Sequence, residues 1–336
     1  PEPCNQKMET PVVYFHTQTP LSVTLKVDFP LGVISQWFPA ATTFLPEIDA
    51  LFGFSDTLPA GKKLAGGSMT WQVLVDPTLS MAKAPKVPAD SIWQPARNTN
   101  AAPLRYVGPD HTSEPVDQTE RFLFYRGLGR FTLPVKVQAS TCGVLTVANA
   151  STEVVPYTVI LNTTASGMGG VAIEGPLAAD SKVLAQVPEA NLAKAEAMAA
   201  AKAALKKGIV AAGLYDDEAQ AMVDTWQKSW FSTPGVRLLY VLPQPWTEQL
   251  LPMWVTPKPA KLVRVLVGRI EILTPEDEQA VMNKVMASQQ ANSFSALESI
   301  DRFQEPRLRR ACALLGPAVA VWCAKLVPCV YAPQQT

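Results

Sequence analysis

Apolar and polar residues alternate along short stretches of the first half of the chain. In SVTLKVDF, Val23, Leu25, Val27 and Phe29 fall on one face and Thr24, Lys26 and Asp28 on the other, the signature of a half-buried strand. The runs VVYFHT, MTWQVLV, RFLFYR, FTLPVKV, GVLTVA, VVPYTVIL and GGVAIE repeat the pattern between Pro, Gly, Asp and Asn punctuation. With no amphipathic helix interrupting them, about eight strands between residues 11 and 175 predict an antiparallel β-sandwich rather than βαβ units. Residues 38–66 and 77–119, rich in Pro, Ala and Asn, read as long loops over that sandwich.

The period changes near residue 188. PEANLAKAEAMAAAKAALKKGIVAAGL starts with Pro188, has early acid and late lysine, and stops at Gly213, which predicts a helix. DDEAQAMVDTWQKSWF places Ala219, Met222, Val223, Trp226 and Trp230 on one stripe, completing a helical hairpin. VRLLYVLP and KLVRVLVGRIEIL then read as strands that pair with each other or join the first sheet, separated by a proline-bracketed segment. A third helix opens at Thr274, with Pro275 at its first position and Asp277 completing the capping box, and a fourth starts at EPRLRRACALL. The fold class is therefore α+β, an N-terminal antiparallel β-sandwich followed by a helical hairpin and a smaller α+β unit. The expected domains are 1–178 and 179–336.

Composition narrows the function. The 29 basic and 29 acidic residues cancel, leaving no long-range field to recruit nucleic acid or an anionic surface. The 30 prolines in 336 residues are nearly twice the usual share of about 5%, so much of the backbone lies in turns, edges and extended loops. The most apolar stretch, ALLGPAVAVWCAKLVPCVYA, is interrupted by Pro317, Lys325 and Pro328 and reads as a buried terminal segment, not a membrane span. Peripheral membrane association stays open. The chain starts at Pro1 without an initiator methionine, so any targeting segment lies outside this sequence.

Cys4, Cys142, Cys312, Cys323 and Cys329 contain no CxxC pair, and with two histidines they make no zinc set; no metal or cofactor is implied. A continuous helix would hold Cys312 and Cys323 about 16 Å apart, beyond bridging distance unless Gly316-Pro317 breaks it. The favoured bridge joins Cys4 to Cys329 or Cys323, implying an oxidising compartment, the periplasm or the extracellular space. Five buried thiols in a cytosolic protein are the alternative. NAS at Asn149 and NTT at Asn162 match the glycosylation pattern at a frequency near chance.

Chemical motifs are sparse. RFLFYRGLGRFTLPVKV resembles a dinucleotide loop, but Thr132 stands where a third glycine is needed and a strand follows where a helix is needed. Gly127 and Gly129 are expected to turn a hairpin or bulge with positive φ; Arg121, Arg126 and Arg130 read first as the solvated face of a strand packed on its other side, with a cationic binding patch, centred on Arg126 and Arg130, as the alternative. PAGKKLAGG lacks the leading glycine and the Ser or Thr of a phosphate loop. His111 in GPDHTSEP, with Asp110 and Glu114 beside it, supplies the weak catalytic candidates; His16 reads as a satisfied strand-end residue. Trp37, Trp93, Trp246 and Trp254 sit in or near turns, where tryptophans either anchor partners or staple loops onto prolines.

These features predict a non-enzymatic exported binding or scaffold protein presenting Pro- and Trp-rich loops to a protein partner or surface polymer. The alternatives are a carboxylate-based hydrolase and an accessory subunit of a membrane-associated complex.

Overall fold

Residues whose side chains alternate between branched apolar and polar types build the first part of the molecule. The computed structural model describes residues 6–8, 12–45, 66–129, 131, 133–295, 297 and 305–323. The chain begins with β1 (Gln6–Met8), β2 (Val12–Val13), β3 (Leu21–Phe29), β4 (Gly32–Phe38), β5 (Thr43–Leu45) and β6 (Gly67–Val75). A short helix α1 (Trp93–Arg97) precedes β7 (Leu104–Pro109), β8 (Pro115–Glu120) and β9 (Leu123–Gly129). Val23, Leu25, Val27 and Phe29 of β3 are all buried, as the alternation requires, together with Met69, Trp71, Val73 and Val75 of β6. β4, β7 and β8 lie in or beside stretches that read as loops. β8 is an edge strand whose sequence, PVDQTE, offers only one apolar branched residue to pattern recognition.

Next come β10 (Val135–Ala139), β11 (Val144–Asn149), β12 (Val155–Thr163), β13 (Met168–Leu177), β14 (Ser181–Gln186) and β15 (Leu192–Ala193). α2 (Lys194–Ala211) begins six residues after Pro188, because β15 first pairs with β13, and it ends at Gly213, whose φ of +114° only glycine adopts readily. α3 (Asp216–Thr225) runs into a π-helical turn at Lys228–Ser232. β16 (Gly235–Val241), α4 (Gln244–Leu250), β17 (Met253–Thr256) and β18 (Val267–Ile272) follow. α5 (Pro275–Gln290) carries the expected box: Thr274 Oγ1 accepts from the Asp277 N–H at 3.2 Å, and the Asp277 carboxylate accepts from the Thr274 N–H at 3.4 Å. α6 (Glu305–Leu314) and α7 (Pro317–Cys323) end the described chain.

The protein is mixed α+β, and every strand pairing among the described residues is antiparallel. A first sheet has the order β17-β3-β6-β7-β8 with β5 also on β6; a second groups β1, β2 and β4 around β9. Both contribute to one core, where Leu123 and Tyr125 meet Leu25, Trp71 and Leu104. A third sheet, β10-β11-β14, shares a core with one face of a fourth, β15-β13-β12-β16-β18. The opposite face of the fourth sheet is covered by α2, α3 and the π-helical turn through Ala201, Leu205, Ile209, Val223, Trp230 and Phe231. β12 precedes residue 178 yet pairs with β16, while β17 comes after it yet pairs with β3.

Two expectations are corrected. Gly127 and Gly129 lack the positive φ expected of them: both lie inside β9, and the irregularity in the ladder falls on β4, between Ile34 and Gln36, beside Gly127 and not Gly129. Their missing side chains admit a close approach: a Cβ on Gly127 would overlap the Val33 carbonyl oxygen and lie 3.1 Å from the Phe29 ring. The disulfide joins Cys312 to Cys323, with Cα atoms 6.4 Å apart, because the chain breaks at Gly316 (φ +104°) and α7 folds back on α6. That excludes Cys323 as the partner of Cys4; Cys4 and Cys329 lie outside the described residues. No helix among the described residues is long and apolar enough to cross a membrane.

A buried charge network anchors the fourth sheet. Arg237, 0% exposed, donates to the carbonyls of Trp230, Thr233 and Pro234 and pairs with Glu271 at 3.1 Å; Arg269 and Arg307 pair with the same carboxylate. Arg237→Met would leave three carbonyls without their donor and is expected to destabilise by about 3–5 kcal/mol, read from urea unfolding. Gly127→Ala is expected to destabilise by about 1–3 kcal/mol through overpacking, measured in the same way.

Candidate functional site

The segment Val12–Thr17 has little regular pairing, and three contacts fix its path. The Tyr14 hydroxyl donates to the Ala96 carbonyl at 2.7 Å, the Phe15 carbonyl accepts from the Ala102 N–H at 2.8 Å, and His16 Nε2 lies 2.9 Å from Glu218 Oε1. Glu218 is 6% exposed and already serves α3, its other oxygen accepting from the Tyr215 N–H at 3.0 Å. The Tyr215 ring meets His16 edge-on at 4.8 Å. α1 packs against α3, and Arg97 makes a bidentate pair with Glu120, 2% exposed, holding α1 to β8. The N-terminal segment is thereby clamped between the strand layers and the helical layer.

Beside this clamp lies a cavity of about 550 Å³. One wall is residues 12–17, a second is α3 with Trp226 and Trp230, and a third is residues 257–267, an extended strap between β17 and β18. Most of the lining is apolar. Its ionisable groups include His16, Glu218, Lys258, Lys261 and Arg264. Lys258 and Lys261 are exposed on the strap, and Leu21, Tyr215 and Leu262, 40%, 56% and 41% exposed, give the cavity an apolar rim.

Arg264 is the unusual member. It is 9% exposed, burial lowers its pKa, and among the described residues it has no ion-pair partner. It faces the Tyr125 phenol, with Glu248 exerting a weaker attraction, while Glu248 itself is exposed and accepts from Gln244 at 2.6 Å. Thr247 Oγ1, which belongs to a residue lining the same cavity, is buried without a hydrogen-bond partner among the described residues. Burial raises the Tyr125 pKa to about 12, with Arg264 offsetting part of the rise. Burial also raises Tyr14, reinforced by Glu218, Asp217 and Glu120, and burial alone raises Tyr240.

The residues singled out from sequence go elsewhere. Asp110, His111 and Glu114 form the tip of the β7–β8 hairpin, where Asp110 Oδ1 accepts from the Thr112 N–H and hydroxyl, both at 2.7 Å, and the Glu114 N–H at 3.1 Å. These bonds lower the Asp110 pKa, His111 and Glu114 are exposed, and none of the three lines the cavity. Trp37 packs on Phe44 at 5.0 Å, Trp93 on Phe124 at 4.5 Å, and Trp246 is 8% exposed. They staple chain to core. Trp254, 52% exposed in β17, carries the Lys26 amino group 5.0 Å above its ring. Arg126 is part-buried in β9, and Arg130 lies outside the described residues.

Both glycosylation tripeptides are structural. Asn149, 1% exposed, donates to the Glu153 and Ala178 carbonyls, and Asn162 donates to the Pro188 carbonyl at 2.9 Å. Sequence reasoning missed Arg264, Tyr125, Thr247 and the His16–Glu218 pair. Arg264 carried a signal, a lone cation in the apolar run LVRVLV; the others join only through the fold.

No protein-family model matches the chain, and neither curated proteins nor solved structures yield a match.

The buried phenols set an alkaline limit. Below an unfolded-state pKa near 10 the folded and unfolded chains bind equal numbers of phenolic protons; above it the unfolded chain binds fewer, so stability falls as pH rises through the folded values. For Tyr125 alone, a rise from 10.0 to about 12 corresponds to about 3 kcal/mol lost across that interval. Absorbance titration is expected to show a group of phenols that ionise only as circular dichroism reports unfolding.

Proposed function

We propose that this is a non-enzymatic binding protein whose ligand, a small molecule with an apolar body, occupies the cavity at the junction of the strand and helical layers. The observation that carries this reading is the cavity itself, a partly open, mostly apolar volume of about 550 Å³ lined by a few polar groups, within the usual range for small-molecule sites. In this reading the first two sheets act as the leaves of a β-sandwich, and the fourth sheet with its helices forms the second unit. The ligand lies between them.

Three of the four selected tryptophans support the fold rather than a partner surface, which moves the binding role from the loops to the junction. The Cys312–Cys323 disulfide supports an exported location, since such bonds persist in oxidising compartments. The hydrolase alternative gains no support from the site: the one carboxylate among the described lining residues, Glu218, is engaged by His16 and the Tyr215 N–H.

N-Phenylnaphthylamine, a neutral fluorescent probe, is expected to bind saturably at one site per chain. Leu262→Glu, at the exposed rim, is expected to weaken it about fivefold, equivalent to about 1 kcal/mol, without changing the melting temperature. Absence of saturable binding would refute the proposal.

A further inference from the structure

We infer that the ligand is an acyl carboxylate, its chain along the apolar walls and its anionic head received by Arg264 with the Tyr125 and Thr247 hydroxyls. This deepens the binding reading above and rests on it. A buried guanidinium is stable when its charge is matched, and among the described residues the other buried arginines are matched by a carboxylate. Arg97 has Glu120; Arg237, Arg269 and Arg307 share Glu271. Arg264 has a neutral phenol and an exposed, already engaged Glu248. Thr247 lines the same cavity as Arg264 and Tyr125, and its buried hydroxyl has no hydrogen-bond partner among the described residues.

The charge of the lining points the same way. Arg264, Lys258 and Lys261 face one carboxylate, Glu218, which is occupied by His16 and the Tyr215 N–H. An incoming anion therefore meets attraction from the strap and no free competitor. A carboxylate suits the site because its two oxygens match the guanidinium fork and leave capacity for the two hydroxyls. A nucleotide or peptide fits poorly, since its many polar groups would lie against Phe15, Leu214, Met222, Trp226, Val263 and Leu266 without partners.

The test compares three ligands with one chain length, dodecanoate, dodecanol and dodecylammonium, by calorimetry on the full chain at neutral pH and below micelle formation. Dodecanoate is expected to bind about tenfold or more tighter than dodecanol, with dodecylammonium weakest. Arg264→Met is expected to erase the preference for the acid while leaving dodecanol affinity unchanged, and Arg264→Lys to restore part of it. Equal affinity of the wild-type protein for dodecanoate and dodecanol overturns the anion assignment whether or not the variants fold. So does a preference that survives in Arg264→Met. If N-phenylnaphthylamine binds while the acid shows no advantage, only this inference falls; if neither probe nor acid binds, the binding reading falls with it.

Discussion

The arrangement depends on one covalent constraint: β17 is committed to β3 in the first sheet, and β18, eleven residues after the end of β17, is committed to β16 in the fourth. Residues 257–266 must therefore cross from one sheet to the other. They do so as an extended strap with three prolines' worth of stiffness nearby, Pro252, Pro257 and Pro259, and no internal helix or strand to fill the space beneath it. The end of the segment packs down, Val263 and Val265 into the core beneath the helices and Leu266 against the strand cores, while the chain stays tied to a ladder at each end. The volume left under it is the cavity.

Polar contacts reinforce the same junction from the other side. The clamp on residues 12–17 uses hydrogen bonds to α1, to Ala102 and to α3, so an irregular segment is held where apolar packing alone would leave it free to shift. Glu218 does two jobs within α3, capping its first turn and meeting His16. The contrast with the Arg237–Glu271 network is instructive. There, carbonyls and one carboxylate satisfy the buried cations, and the result is a rigid floor beneath the helices. At Arg264 the guanidinium lines the cavity and faces a neutral phenol, with no carboxylate paired to it among the described residues.

The antiparallel strand core and the helical layer were legible because they obey simple periods. Val23 to Phe29 in β3, the stripe from Ala219 to Trp230, and the Thr274–Asp277 box all stand where alternation and capping rules put them. Legibility failed where a segment's role is set by its neighbours. PVDQTE becomes β8 because Arg105 and Tyr106 lie opposite it, and MWVT becomes β17 because β3 has a free edge. The glycines of β9 were noticed for the wrong reason: their backbone is ordinary extended chain, and what they provide is room for Phe29.

By itself the sequence determined which residues seek the interior, where helices start and stop, and that dinucleotide loops, phosphate loops and zinc sets are missing, since each of these depends on residues close together in the chain. Tertiary structure alone decided that Cys312 meets Cys323, that Asn149 and three tryptophans are internal, and that Tyr125, Thr247 and Arg264 line one cavity. Those outcomes rest on which edges pair across more than 200 residues, as β3 and β17 do. Local pattern gives an edge its capacity to pair, and only the packed whole selects the partner.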